Sequence, residues 1–121
     1  MHIVKSATLS ALLLGAATFA AADCTYPTKP DHVPDGATAT RDEMIAASKQ
    51  VRQFDADVRA YQQCLADEKN AQLQALGADA GKEAIQRIND IEIQKSNNAA
   101  GESQALADAF NAQLRVFKAR P

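Results

Sequence analysis

From Arg41 to Leu76 the chain contains neither proline nor glycine. Met44, Val51, Phe54, Val58, Tyr61, Leu65, Leu73 and Leu76 are eight of its larger apolar residues there. At 100° per residue they fall in a stripe roughly 120° wide, the pattern of a helix with one buried face. Just upstream, Thr40-Arg41-Asp42-Glu43 has the form of a capping box, in which the Thr40 hydroxyl and the Glu43 carboxylate each satisfy a free backbone amide. Leu76-Gly77 supplies the stop, because glycine readily takes up the backbone geometry that ends a helix. The expectation is a helix over 41–76, with a turn to Gly81.

A second helical pattern starts near Lys82 and places Ile85, Ile88, Leu106, Phe110, Leu114 and Phe117 on one face. The same face carries Glu92, Ser96, Ala99 and Ser103, and the weak helix formers Asn97, Asn98 and Gly101 lie in that region. A single helix is expected, since helix formers surround the weak zone and no proline interrupts it; the alternative is a break near residues 96–102. Two antiparallel helices joined by a short turn make an all-α helical hairpin with a coiled-coil-like seam over residues 41–121.

Residues 1–22 have the three parts of a secretory signal: the basic Lys5, an apolar run through Leu12-Leu13-Leu14, and an A-x-A site at Ala20-Ala21-Ala22. The apolar run is shorter than the ~20 residues a membrane-spanning helix needs. Cleavage is expected near Ala22, giving a periplasmic or secreted protein. Lipid attachment at Cys24 is disfavoured, because a lipobox wants a leucine-like residue three before the cysteine and a small residue directly before it. Those places hold Ala21 and Asp23.

Export would deliver Cys24 and Cys64 to a compartment where disulfides persist. The spacing is not the C-x-x-C of redox catalysis, and two thiols with the one remaining histidine, His32, fall short of the four ligands of a structural zinc site. The expected outcome is an intramolecular Cys24–Cys64 disulfide; an intermolecular bridge is the alternative. Residues 23–40 carry Pro27, Pro30 and Pro34, which favour an extended arm, with a turn at Pro34-Asp35-Gly36. Sixteen residue steps separate Cys24 from Thr40, a reach of about 50 Å in the polyproline form. The 24 residues from Thr40 to Cys64 rise about 36 Å along a helix. The arm can therefore run back along the first helix, and the angular position of Cys64 puts it on a flank beside Tyr61.

Removing Lys5 leaves 12 cations against 15 acids, a net charge near −3. That balance gives no positive field for phosphate contacts, so nucleic acid is not expected as a partner. Nor does it favour anionic lipid. The cations of Arg115, Lys118 and Arg120 beside Phe117 suit the negative end of a helix, so membrane contact is not expected.

No catalytic or cofactor-binding residue is expected. His32 sits alone in the arm, with no nucleophile turn near it in sequence. The carboxylates Asp55 with Asp57, Asp67 with Glu68, and Asp90 with Glu92 are one or two residues apart and point in different directions on a helix. Asp42, Glu43, Arg52, Arg59, Glu68 and Lys69 read as a solvated face. Asn89, Asn97, Asn98 and Asn111 read as flank residues, although a polar residue near a seam can fix register.

With Cys24, Pro30, Pro34-Asp35-Gly36, Met44, Tyr61, Cys64, Phe110-Asn111 and Phe117-Lys118 in place, the chain resembles small exported helical proteins of Gram-negative bacteria that carry no assigned function. The resemblance implies periplasmic placement and supplies no activity or site. Leu, Ile, Val and Phe make up 17 of the 99 residues after Ala22, so only a thin core can form. The expected function is that of a non-catalytic interaction or structural protein, presenting the hairpin to a protein partner or to a second copy. The alternative is an envelope inhibitor or immunity protein that blocks a toxin or lytic enzyme.

Overall fold

The computed structural model describes residues 23–121, and the expected signal segment 1–22 lies outside them. Two helices, α1 over Arg41–Leu76 and α2 over Lys82–Lys118, pack along one seam, and the described residues contain no strand. The all-α hairpin expected from periodicity is what forms.

The start of α1 is built as the capping box requires. The Thr40 hydroxyl accepts from the Glu43 N–H at 3.2 Å, and the Glu43 carboxylate accepts from the Thr40 N–H at 2.7 Å. Gly77 ends the helix with φ 75°, a conformation that costs side-chain-bearing residues energy, and its N–H donates to the Gln74 carbonyl. α2 is continuous through residues 96–102. Asn97, Asn98 and Gly101 face solvent on turns that bury Ala99 and Ser103 against α1, so packing holds the helix where propensity is weak.

The core occupies one half of the hairpin. Phe54, Val58, Tyr61 and Leu65 of α1 pack with Ala99 and Leu106 of α2, while Ala39, Met44, Ala47 and Phe110 form a second cluster near the base. Val33 and Val51 touch both clusters and join them. None of residues 66–98, the half of the hairpin nearer the turn, is buried.

The arm differs from its expected path in one respect. It runs antiparallel to α1 as the reach argument requires, but it lies in the groove between the two helices rather than on a flank of α1 alone. Val33 reaches the apolar residues of both core clusters only from that groove. The turn also sits slightly later than expected. The Asp35 carbonyl accepts from the Thr38 and Ala39 N–H groups and its carboxylate from the Ala37 N–H, so the bend spans Asp35 to Ala39.

Candidate functional site

The sequence singled out Cys24 and Cys64, and the structure joins them. Their Cα atoms are 5.8 Å apart, and the bridge closes a 40-residue separation. It pins the arm about two-thirds of the way along α1, at the level where the buried core ends at Leu65. A disulfide is compatible with an oxidising, exported location. No described helix is long and apolar enough to cross a membrane.

Two further sets of contacts fix the arm below the bridge. The Tyr26 ring meets Tyr61 edge-on, with centroids 5.2 Å apart, and its hydroxyl donates to Glu102 of α2 at 2.9 Å. Partial desolvation, and then that carboxylate hydrogen bond, push the phenol up to about 12. At the base, the Gly36 N–H donates to the Gln113 side-chain oxygen at 2.8 Å. The Arg120 guanidinium donates to the Ala39 carbonyl at 2.6 Å and the Gly36 carbonyl at 3.3 Å, while lying 4.7 Å from the Phe117 ring centre. Helix-dipole reasoning accounted for the terminal cations but did not reveal that Arg120 holds the arm.

The polar residues of the seam, read as a weakness of α2, each have a partner on α1. Gln62 donates to the Ser96 hydroxyl and carbonyl, Ser103 donates to Asp55 at 2.9 Å, and Lys69 pairs with Glu92 at 3.3 Å. Lys69 therefore belongs to the seam and not to a solvated face. Its side chain and that of Glu92 are 26% and 17% exposed. Sequence spacing could not reveal these pairs, because the partners lie 23 to 48 residues apart.

Several of the remaining carboxylates are engaged along their own helices. Asp57 accepts from Gln53, Asp67 from Gln63, and Glu68 from Gln72 at i,i+4 spacing, and Asp55 also pairs with Arg59. His32 is exposed at the rim of an open concavity of about 470 Å³ between the arm and α1, together with Asp35 and Glu43. A second concavity of about 470 Å³ lies along the seam, with Arg52 and Arg59 beside Val51, Ala100 and Gln104. The second also holds the Ser103 hydroxyl, which donates to Asp55, the carboxylate that Arg59 pairs with. No group of three His, Cys, Asp or Glu side chains is placed to hold a metal ion among the described residues. Asn97, Asn98 and Asn111 are exposed flank residues, and Asn89 is half-buried.

Above the bridge the groove filled by the arm continues unfilled toward the turn, between Glu68 and Gln72 on one wall and Ile88, Ile91 and Lys95 on the other. Leu76, Ile85, Ile91 and Ile93 are exposed at 41, 37, 46 and 51%. No protein-family model, curated protein or solved structure matches the chain.

Proposed function

We propose that this is an exported, non-catalytic interaction or structural protein of the periplasm, in which the strapped half of the hairpin is a rigid stem and the half nearer the turn is the surface offered to a protein partner or a second copy. One observation carries the reading: burial stops at Leu65 and Ala99, where the strap stops, and the helices continue beyond without a core of their own. Four of the seven exposed large apolar residues lie in that unstrapped half, so the exposure is concentrated away from the stem. Helices that gain their stability from packing need a reason to extend past it, and a bound partner supplies one.

A photoreactive amino acid at Ile91, compared with one at Ile45, tests the reading, because the two sites are similarly exposed at 46 and 43%. The expected result in intact cells is a protein crosslink from position 91 and none from position 45. Absence of any crosslink from the tip would remove the proposal. A crosslinked partner with lytic or toxic activity, blocked by the purified protein, would turn the reading toward an envelope inhibitor. Export is tested separately by the mass of the periplasmic product, expected to begin at Asp23.

A further inference from the structure

We infer that the concavity between Arg52 and Arg59 holds an extended acidic segment of a partner protein, with carboxylates three residues apart. It lies in the stem, so it is a contact separate from the one assigned to the tip and does not depend on it. A pair of packed helices leaves a groove on each side of its seam. At 100° per residue, Glu102 and Ala109 of α2, which border the arm, fall on one side of the buried line of Ala99, Ser103 and Leu106. Ala100 and Ala107 fall on the other. The arm shows what fits the first groove: an extended, proline-containing stretch of backbone that sends Val33 into the core. The second groove, of about 470 Å³, is open, with Val51 and Val58 along α1 and the small side chains of Ala100 and Ala107 leaving room along α2.

Charge decides which segment. The charged residues lining this groove are Arg52, Asp55 and Arg59, and α2 contributes none. That is a local positive excess in a chain of negative net charge, whereas the concavity beside the arm is lined by Asp35 and Glu43. Among the described residues Arg52 has no carboxylate partner. Its Nε donates to the Ser48 carbonyl at 3.4 Å, which leaves both terminal amino groups to meet a ligand. Arg59 is held at 2.8 Å by Asp55, and Asp55 is held in turn by the Ser103 hydroxyl, a side chain only 8% exposed. A guanidinium positioned in advance loses less freedom on binding, and its fork fits a carboxylate. Seven residues put the two arginines on one side of α1, about 10 Å apart along its axis. A polyproline-type segment repeats its side chains every three residues, or about 9 Å. Two carboxylates at that spacing meet both guanidinium groups while the backbone between them lies on the alanines of α2.

The probe is the peptide Pro-Glu-Pro-Pro-Glu-Pro, blocked at both ends and titrated into the oxidised, periplasmically produced protein while its amide NMR spectrum is followed. The expected result is saturable shifts at Val51, Arg59 and Ala107, with a dissociation constant on the order of 1 mM and weaker binding in added salt. The same peptide with glutamine in place of both glutamates should bind about tenfold more weakly. Arg52→Gln or Arg59→Gln alone should weaken binding by about threefold and the two together by about tenfold, the scale of exposed ion pairs. Ala100→Glu, which sets an acid on the α2 wall, should weaken it by about tenfold as well, and Arg87→Gln, on the tip, should leave it unchanged. All four positions are exposed, so helical circular dichroism of the variants should match the parent. A peptide that does not bind, that binds equally with its glutamates replaced, or that ignores the double arginine change overturns the proposal. Suberate binding as tightly as the peptide overturns the extended segment, because two carboxylates alone would then account for the affinity. None of these outcomes bears on the tip, since crosslinking at Ile91 reads a different surface and Ile45, about 10 Å below Arg52 along α1, is outside the groove.

Discussion

An alanine Cβ at position 36 would lie 2.0 Å from the Gln113 carbonyl oxygen and 2.9 Å from the Phe117 amide nitrogen. Both are helix backbone and have no room to retreat. Gly36→Ala should therefore lift the lower arm off α2 and cost about 2 kcal/mol or more. The thermal midpoint should fall by about 10 °C; an unchanged melt would contradict the seating of the arm. In the sequence this glycine read as a turn residue, yet Gly77 is the one described residue with positive φ, so Gly36 is required by proximity and not by backbone conformation. Proximity between positions 77 residues apart leaves no trace in local spacing. The capping box at Thr40 was legible because all its parts lie within four residues. Tyr26 gives a second prediction at this scale. Its folded pKa of about 12 stands above the ordinary 10, so the contribution of the neutral, hydrogen-bonded phenol is complete below pH 10 and lost as pH rises through 12. A phenolate absorbance titration should show one tyrosine ionising late, and Glu102→Gln should bring it back toward 10.

The helices themselves were readable from period and punctuation, down to the ends of α1. What the sequence left open was the middle of α2, because propensity and packing disagree there. Gly101 is exposed, and a Cβ added to it meets nothing within 4 Å. Gly101→Ala should therefore stabilise by about 1 kcal/mol, the difference in helix propensity, and raise the melting midpoint by about 5 °C. A neutral result would mean that α2 is not helical at that turn. The seam's polar pairs set how the helices are aligned lengthwise, and the sequence showed one half of each pair without the other. Lys69→Met alone should leave Glu92 half-buried and unpaired, costing about 1 kcal/mol after allowance for its solvent exposure. Adding Glu92→Leu should recover that loss, with the double variant melting at or above the parent. A double variant as unstable as the single would show that the pair stabilises more than an apolar contact in its place.

At the scale of the whole molecule, a thin core depends on a covalent strap. The Cys24–Cys64 bridge closes a 40-residue separation. On the chain-entropy account that stabilises by about 4 kcal/mol, a large part of what a domain of this size usually has. Reductant, or the double change Cys24→Ser and Cys64→Ser, should lower the midpoint by well over 10 °C and open the arm to proteolysis before the helices. Equal melting with and without the bridge would refute the strap. The bridge also decides how the protein bears tension. A pull on the chain ahead of Cys24 enters the hairpin about two-thirds of the way along α1 and passes on through Leu65, bypassing the arm, the capping box and the part of α1 before Cys64. Those residues form a covalent ring outside the line of force, so they stay at their relaxed length while the tip and α2 take the strain.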